Sequence, residues 1–272
     1  MPVSSKKMVA LVTGASSGIG KATAEKLSAA GYRVYGTSRR AIAADGCLFS
    51  PVVLDVTDDL SVMRAVDTVM QAEGRIDLLV NNAGSGLGAG AAEESSVEQV
   101  RALFETNLFG VVRVTNAVLP VMRLQGGGRI LNIGSGLGII PAPFNAHYAA
   151  TKHALEGYSE SLDHEVRGFG IRVLVIQPGV TQTSFDASVT PADRLIPEYE
   201  RSRQKYLVAF HHAMSSADKA GEVADTVLIA AKERSPRLHY PSGKVARQGA
   251  FARRFLPRAL FDRILHKQFG LG

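Results

Sequence analysis

The chain has 272 residues, 46% of them hydrophobic, and a formal net charge of +6. This length and hydrophobic content allow one α/β domain with a large core, and 27 glycines and 11 prolines are too few for a low-complexity chain. The single cysteine, Cys47, excludes an intramolecular disulfide, and no apolar run reaches the ~18 residues that a membrane-spanning helix needs. We expect a cytoplasmic protein, because the short apolar run near the N-terminus fits a buried first strand better than a signal peptide.

Strand and helix patterns alternate along the chain. Short apolar runs predict strands at 8–13, 33–38, 51–55, 76–80, 129–133, 171–177 and 237–240. Apolar residues at helical spacing predict helices at 19–30, 60–72, 97–124, 148–167 and 216–232. Because each parallel crossover needs a dozen or more residues, we predict a single doubly wound Rossmann-type α/β domain. Its parallel sheet has about seven strands, with helices on both faces.

A glycine-rich turn, TGASSGIG at 13–20, lies between the first strand and the first helix. Glycines let the backbone approach a pyrophosphate closely, and the helix N-terminus supplies free N–H groups and the positive end of the helix dipole. A turn without a ligand is the alternative interpretation. The position of the turn favours phosphate binding at the carboxyl end of the sheet.

The end of the second strand reads Gly36-Thr37-Ser38-Arg39-Arg40. An NAD site of this type places a carboxylate about 20 residues after the glycines, where it binds the ribose hydroxyls. Residues 34–44 contain no Asp or Glu. Since a guanidinium suits a 2′-phosphate, the two arginines predict NADP(H) rather than NAD(H). Two solvated arginines in a loop are the alternative.

Ser135, Tyr148 and Lys152 bring a hydroxyl, a phenol and an ammonium into one stretch. Tyr148 and Lys152 would lie one turn apart on the same face of a helix. A phenol with a pKa near ~10 is a poor proton donor at neutral pH, and a neighbouring cation lowers that pKa by favouring the phenolate. An ordinary amphipathic surface is the alternative for such a pair.

These motifs together resemble the short-chain dehydrogenase/reductase family, in the branch with a TGxxxGxG turn. The resemblance spans about residues 8–183, and the 13-residue interval from Ser135 to Tyr148 is common in that branch. The residues that carry it are TGASSGIG at 13–20, Asp55-Val56, NNAG at 81–84, Asn107, Ser135, Tyr148, Lys152 and Pro178-Gly179.

The resemblance implies roles for four catalytic residues. Tyr148 would act as the general acid/base, and Lys152 would lower the pKa of its phenol and bind the nicotinamide ribose. Ser135 would hold the substrate oxygen, and Asn107 would help to keep a water beside Lys152. A turn serine and a helix-surface asparagine are the alternative interpretations of Ser135 and Asn107.

The glycine turn, the arginines and the resemblance together predict the NADP(H) site. Its residues are Gly14, Ser16, Ser17, Gly18, Ile19, Gly20, Ser38, Arg39, Arg40, Asp55, Val56, Asn82, Ala83, Gly84, Tyr148, Lys152, Pro178, Gly179, Val180, Thr181 and Thr183. We interpret Asn81 as a residue that stabilises strand ends rather than one that contacts the cofactor.

Residues 184–215 form the least regular segment, which we predict to be a mobile loop over the substrate. Its apolar residues predict a hydrophobic carbonyl or alcohol as the substrate. The substrate residues would be Ser135, Leu137, Pro143, Phe144, Tyr148 and Phe185. The adjacent His211 and His212 lack matched metal-ligand spacing, so we interpret them as surface residues and predict no metal.

The last residues differ in charge from the rest of the chain. Ten basic and two acidic residues from Lys232 onward give this tail +8, which leaves −2 of the total for residues 1–231. We divide the chain into a catalytic domain, 1–240, and a basic amphipathic extension, 241–272. Packing on the same domain or on a neighbouring subunit is the favoured interpretation of the extension, and peripheral membrane contact is the second. Nothing resembles a nucleic-acid module.

The favoured function is an NADPH-dependent oxidoreductase that interconverts a carbonyl and an alcohol on a lipophilic, hydroxysteroid- or retinoid-like substrate. A 3-oxoacyl thioester reductase and a non-catalytic NADP(H)-sensing regulator are the alternatives. By the habit of the family, the helices that contain Asn107 and Lys152 also form a subunit interface, so a homodimer or homotetramer is expected.

Overall fold

Seven parallel strands form the central sheet of the computed structural model, which describes residues 7–43, 46–183, 185 and 188–271. In chain order the strands are β1 (Val9–Val12), β2 (Arg33–Ser38), β3 (Ser50–Val53), β4 (Leu78–Asn81), β5 (Gly86–Leu87), β6 (Gly128–Ile133), β7 (Ile171–Pro178), β8 (Thr181–Gln182), β9 (Val189–Thr190), β10 (Asp218–Lys219) and β11 (His239–Ser242). The helices are α1 (Gly18–Ala29), α2 (Asp59–Glu73), α3 (Val97–Phe104), α4 (Gly110–Leu124), α5 (Ala146–Val166), α6 (Glu200–Ser215), α7 (Ala220–Lys232), α8 (Lys244–Phe255) and α9 (Arg258–Gln268).

The central sheet has the order β11-β7-β6-β4-β1-β2-β3. From β1 the chain builds outward through β2 and β3, and it then crosses to β4 on the other side of β1. The topological switch point therefore lies between β1 and β4, where open α/β sheets bind ligands at the carboxyl ends of their strands. The predicted doubly wound α/β domain is confirmed.

Both faces of the sheet are covered. Successive strand residues point to opposite faces, so Val9 and Leu11 join one core cluster while Ala10 and Val12 join the other. Side chains of α2, α4 and α5 complete the first cluster, and α1 and α7 complete the second. Burial on both faces explains why the central strands are nearly continuous apolar runs, such as VALV in β1.

Two predicted elements differ from the structure. The predicted helix at 97–124 consists of α3 and α4 joined by a π-helical turn at Glu105–Phe109. The segment predicted to be irregular contains α6, a helix of 16 residues, although residues 184, 186 and 187 of that segment lie outside the described residues. The tail, predicted as an amphipathic extension, forms two helices, because Pro257 separates α8 from α9.

Two short strand pairs fasten the chain above the sheet. β5 pairs with β9, and β8 pairs with β10, in both cases in parallel. Within the described residues, no helix combines the length and the hydropathy that crossing a bilayer requires.

Candidate active site

A cleft of about 810 Å³ opens at the carboxyl ends of the strands, at the topological switch point. Most of the predicted site residues line it. They are Gly14, Ser16, Ser17, Gly18, Ile19, Ser38, Arg39, Asp55, Val56, Asn82, Ala83, Gly84, Ser135, Tyr148, Lys152, Pro178, Gly179, Thr181, Thr183 and Phe185. The lining does not include Gly20, Arg40, Asn107, Leu137, Pro143, Phe144 and Val180.

The glycine turn approaches the end of β4 so closely that side chains would not fit. Gly14 and Gly18 have φ of 68° and 55°, a backbone conformation that favours glycine. A Cβ on Gly20 would lie 2.2 Å from the Gly14 carbonyl oxygen and 2.4 Å from Asn82 Nδ2. Gly20 therefore lies behind the lining and lets the turn close.

Hydrogen bonds fix this turn against β4. Thr13 Oγ1 accepts from the backbone N–H groups of Asn82 and Ala83 at 2.9 and 3.0 Å. Asn82 Nδ2 donates to the carbonyl oxygens of Thr13 and Gly14 at 2.9 and 3.1 Å. The N-terminus of α1, which begins at Gly18, faces the same cleft. A glycine cradle in front of free helix N–H groups fits the pyrophosphate of a dinucleotide.

The ends of β2 and β3 form the other side of this half of the cleft. Arg39 and Arg40 are both exposed, and Arg39 lines the cleft whereas Arg40 does not. Asp55 Oδ1 accepts from the backbone N–H and the hydroxyl of Thr57 at 2.9 and 2.7 Å. Burial would raise the pKa of Asp55, but the bonds from Thr57 and the charges of Arg39 and Arg113 together lower that pKa below its ordinary value.

Asn81 lies beneath the cleft. Its Nδ2 donates to Thr115 Oγ1 at 3.1 Å and to Asn132 Oδ1 at 2.9 Å, which ties β4 to α4 and β6. This geometry supports the interpretation of Asn81 as a residue that stabilises strand ends.

Ser135, Tyr148 and Lys152 converge on the cleft from the end of β6 and the first two turns of α5. Burial raises the pKa of Tyr148 to about 12, and a hydrogen bond with Ser135 opposes that rise. Burial lowers the pKa of Lys152 to about 8, and the charge of Glu156 opposes that fall. The sequence predicted a lowered phenol pKa, and the structure differs because burial of the phenol dominates.

Lys152 is held in place by its surroundings. Its side chain is only 7% exposed, and Nζ donates to the Ile133 carbonyl oxygen at 2.9 Å. Nζ also lies 5.7 Å from the centre of the Tyr148 ring. The ammonium therefore lies close enough to act electrostatically on the phenol.

Asn107 lies in the π-helical turn and is buried. Its Oδ1 accepts from Ser85 N–H at 2.8 Å, and its Nδ2 donates to the Ser85 carbonyl oxygen at 2.9 Å and to Thr151 Oγ1 at 3.2 Å. The amide thus joins the cleft-lining segment after β4 to the residue that precedes Lys152. These contacts make Asn107 a positioning residue.

A buried carboxylate lies one helical turn beyond Lys152. Glu156 accepts from Gln177 Nε2 at 3.0 and 3.1 Å, and its Oε2 lies 3.1 Å from His239 Nε2. His239 Nε2 is also 3.1 Å from Glu160 Oε1. The bond to Glu156 raises the pKa of His239 above its ordinary value, against an opposing effect of burial. Glu156, Glu160 and His239 therefore form one ion-paired cluster.

Apolar side chains line the cleft beside Tyr148. The Phe185 ring lies 6.2 Å from that of Tyr148, between ring centres, and Leu87, Leu103 and Val189 line the cleft nearby. Phe144 packs instead against Tyr199 and Tyr206 of the segment that leads into and through α6, at 6.5 and 5.6 Å between ring centres. His211 and His212 are exposed on α6.

Several residues in or beside the cleft escaped the sequence reasoning. Glu156, which does not line the cleft, stands four residues after Lys152. The same interval separates Tyr148 from Lys152, and it was the available signal. The cleft-facing residues Gln99, Ala102 and Leu103 of α3, and Thr190 of β9, gave no comparable signal, because only the folded chain brings them to the cleft.

Known proteins similar to this chain include oxidoreductases. A reductase named 3-ketodihydrosphingosine reductase, from Bacteroides thetaiotaomicron, is 42% identical over 211 residues, which are 78% of this chain and 76% of that protein. The uncharacterized oxidoreductase YusZ of Bacillus subtilis is 37% identical over 96% of this chain and 98% of its own. Human 17-beta-hydroxysteroid dehydrogenase type 1 is 35% identical over 86% of this chain and 77% of its own.

Solved structures agree with this similarity. A short-chain dehydrogenase from Streptomyces avermitilis matches 99% of this chain and 100% of its own, with a TM-score of 0.83 and 33% identity. A short chain dehydrogenase/reductase from Burkholderia phymatum in complex with NAD has a TM-score of 0.73 and 28% identity, covering 86% of this chain and 89% of its own. A metagenomic short-chain oxidoreductase in complex with NADP has a TM-score of 0.66 and 28% identity, covering 85% and 95%.

The family itself is defined by the sequence profile that the chain matches. The profile described as short chain dehydrogenase matches residues 8–194, a range that holds the glycine turn, Ser135, Tyr148 and Lys152. The protein therefore belongs to the short-chain dehydrogenase/reductase family of oxidoreductases.

Proposed function

We propose that the protein is an NADPH-dependent oxidoreductase that interconverts a carbonyl and an alcohol on a lipophilic substrate. The observation that carries the proposal is that Ser135, Tyr148 and Lys152 line the same cleft as the glycine turn and Arg39. A sensor of NADP(H) would need only the residues that bind the nucleotide. The acid/base group in the same cleft favours an enzyme.

Tyr148 acts as the general acid in the direction of reduction. When bound, a nicotinamide nucleotide would supply the hydride that the carbonyl carbon receives. As negative charge develops on the carbonyl oxygen, Tyr148 Oη donates its proton to it, and Ser135 Oγ holds the same oxygen by a hydrogen bond. A pKa of about 12 keeps this phenol protonated at neutral pH, as an acid requires.

Lys152 supports the same step electrostatically. Proton donation leaves a tyrosinate, and the ammonium near the ring stabilises that charge in a site of low polarity. In the reverse direction the tyrosinate takes the proton of the alcohol. Lys152 therefore favours both directions only while it is charged.

Replacing Tyr148 with Phe tests the reaction. We expect kcat for reduction to fall by about 10²–10⁴-fold, the usual contribution of a general acid, with NADPH affinity nearly unchanged. Tyr199→Phe is the matched control, because it removes another phenol hydroxyl, one that donates to Glu93 at 2.6 Å and does not line the cleft. Reductase activity retained in Tyr148→Phe would refute the proposal.

Arg39 is the proposed partner of the 2′-phosphate. Residues 34–43 offer no carboxylate to the ribose hydroxyls, and Arg39 lines the cleft at that position. We expect Arg39→Ala to lower kcat/KM for NADPH by about 10–100-fold, the value of a charge-assisted hydrogen bond, and to change kcat/KM for NADH little. The neighbouring Arg40→Ala is the control. Equal losses with both nucleotides would argue against NADPH preference.

The substrate is proposed to be lipophilic because Leu87, Leu103, Phe185 and Val189 line the cleft beside Tyr148. The names of two relatives, a 3-ketodihydrosphingosine reductase and a 17-beta-hydroxysteroid dehydrogenase, support a bulky apolar ketone or alcohol. A panel of long-chain ketones, ketosteroids, retinoids and 3-oxoacyl thioesters, followed by NADPH absorbance, tests the class. Turnover confined to the thioesters would favour the alternative reductase.

We also propose that α4 and α5 form a subunit interface of a homodimer or homotetramer. Phe109, immediately before α4, is 49% exposed in the single chain, which leaves an apolar ring for a partner to cover. Sedimentation equilibrium of the wild type and of Phe109→Ser tests this, and a monomeric wild type would refute it.

A further inference from the structure

The two tail helices carry an apolar surface that the described part of the chain leaves uncovered. Phe251 and Phe255 of α8 are 65% and 62% exposed, and their ring centres lie 4.7 Å apart. Leu260 and Ile264 of α9 are also exposed, and each helix has its apolar pair four residues apart, on one face. We call these four side chains the apolar face of the tail.

Each tail helix also has a side chain that is buried against the rest of the described chain. Ala246 of α8 and Phe261 of α9 are buried. Arg253 lies over the ring of Phe261, with its guanidinium carbon 5.4 Å from the ring centre. The exposure of the apolar face therefore does not reflect poorly packed helices.

Basic side chains surround the apolar face. Residues 244–268 contain seven lysines and arginines, all exposed, and one acidic residue, Asp262. The guanidinium carbon of Arg254 lies 5.6 Å from the ring centre of Phe255. Aromatic rings beside cationic groups on exposed helices are typical of proteins that lie in the interfacial layer of a membrane.

We propose that α8 and α9 bind an anionic lipid surface. The apolar face enters the boundary between headgroups and acyl chains, and the surrounding arginines and lysines reach the lipid phosphates. No covalent step is involved. The binding is reversible and depends on both the apolar and the cationic side chains.

Charge favours a membrane over a second copy of this chain. A twofold interface brings the same patch of each subunit together, so two copies joined through this face would oppose seven cationic side chains with seven more. Like charges at such an interface repel. An anionic bilayer neutralises them instead, and it also accepts the phenylalanine, leucine and isoleucine side chains.

Helix α8 lies against a residue that lines the cleft. A Cβ on Gly249 of α8 would lie 2.3 Å from Ile140 Cδ1, in the turn that follows Ser135. A Cβ on Gly179, which lines the cleft, would lie 3.5 Å from the backbone nitrogen of Ala246. A membrane-bound tail thus holds the cleft close to the bilayer. Delivery of a lipophilic substrate from the bilayer rests on the proposed function, whereas lipid binding itself does not.

Co-sedimentation of the full chain with vesicles tests the proposal without any activity measurement. Vesicles of phosphatidylcholine alone are compared with vesicles of phosphatidylcholine and phosphatidylglycerol. We expect binding to the second kind only, and loss of that binding in high salt because screening shortens the range of the charges. Equal binding to both vesicle types, or none to either, would overturn the proposal.

Two pairs of variants separate the apolar from the cationic contribution. Phe251→Ser with Phe255→Ser should weaken vesicle binding by about tenfold or more. Leu60→Ser with Met63→Ser is the control, because it removes exposed apolar side chains from α2. Arg254→Gln with Arg263→Gln should weaken binding by roughly 25-fold, about fivefold per charge, and Lys21→Gln with Arg64→Gln is its control. A tail variant that binds like its control would overturn the proposal.

Two further measurements address the competing partners. Sedimentation equilibrium of the Phe251→Ser, Phe255→Ser variant would reveal a subunit interface through a changed oligomeric state, and that result without vesicle binding would overturn the proposal. Anisotropy of a labelled DNA duplex would reveal a nucleic-acid site if the arginine variant lost DNA binding and the wild type bound no vesicles. Reductase activity retained in Tyr148→Phe would refute the proposed function, but it would not change the vesicle-binding result.

Discussion

The two sides of the cleft are held together in different ways. On the proposed nucleotide side, the glycine turn and the end of β4 approach closely, and Thr13 and Asn82 join them. On the proposed substrate side, the pairing of β5 with β9 is supported by a buried ion pair, Glu94 with Arg203, between residues 109 positions apart. The nucleotide side therefore depends on glycines that lack side chains, and the substrate side depends on a buried pair of charges.

Glu94 is the centre of the fastening on the substrate side. It is 1% exposed and accepts from the backbone N–H groups of Ala91 and Ile196 at 2.6 and 2.5 Å as well as from Arg203. Burial would raise the pKa of Glu94, but these bonds and the charge of Arg203 lower it below its ordinary value. The ionised carboxylate thereby joins residues 91–94 to the segment that ends in α6.

Removing Arg203 should have the largest effect on stability. Arg203→Met leaves a buried, unpaired carboxylate, so we expect the free energy of unfolding to fall by about 3–5 kcal/mol. Urea denaturation at neutral pH measures it. Arg101→Met, which removes half of an exposed pair with Glu98, is the control and should cost about 0–1 kcal/mol.

If Arg203→Met were no more destabilised than Arg101→Met, the substrate side would not depend on its buried charge. The comparison between the two sides would then fail. A second variant, Glu94→Gln with Arg203→Met, should recover part of the loss because it removes the unpaired charge.

A methyl group added to the glycine turn should destabilise the nucleotide side of the cleft. Gly20→Ala places a methyl group 2.2 Å from the Gly14 carbonyl oxygen, so we expect a cost of about 1–3 kcal/mol in stability and weaker NADPH binding. Gly221→Ala, in α7, is the control, because α7 is outside the proposed subunit interface. No described residue lies within 4 Å of its added carbon, so it should stabilise the protein by about 0.5–1 kcal/mol.

Thermal unfolding and NADPH titration of both alanine variants give the measurement. Unchanged NADPH affinity in Gly20→Ala would show that the turn can widen without loss, against the close approach described above.

The smallest predicted effect is a shift in pH dependence. The charge of Glu156 keeps the pKa of Lys152 from falling below about 8, so Glu156→Gln should lower that pKa further. Reduction needs Lys152 to be charged. In the pH profile of kcat/KM, the fall on the alkaline side (the alkaline limb) should therefore move to lower pH, by up to about one unit. Glu160→Gln is the control, because it removes the other carboxylate bound to His239.

A structural role alone would change kcat/KM at every pH without moving the limb. An unmoved limb in Glu156→Gln, or an equal movement in Glu160→Gln, would therefore remove Glu156 from the electrostatics of Lys152.

Sequence reasoning predicted the fold, and it indicated most of the residues on the glycine-turn side of the cleft, because both are encoded locally. Glycines mark the turn, apolar runs mark the buried strands, and a four-residue interval marks Tyr148 with Lys152. The lining of the cleft includes the residues that these signals indicated, apart from Gly20, Arg40 and Val180 among the nucleotide residues.

The substrate side was beyond that reasoning. Phe144 reads as an apolar wall residue, yet in the fold Tyr199 and Tyr206 lie beside it. The residues of α6 are largely polar, so they give no clear helical pattern of apolar residues. Its buried residues, Arg203 and Tyr206, are stabilised by contacts with residues far away in the chain. Such partners are found only when tertiary structure brings them together.

The π-helical turn at Glu105–Phe109 has a consequence for sequence change. A π-turn contains one residue more than the α-helical turn it replaces, so it rotates the side chains that follow by about a quarter to a third of a turn relative to those before it. Deleting one residue there would give an unbroken helix and rotate α3 relative to α4. Asn107 could then no longer reach both Ser85 and Thr151. The continuous segment from α3 through the π-helical turn to α4 therefore tolerates substitution on its outer surface but not a change of length.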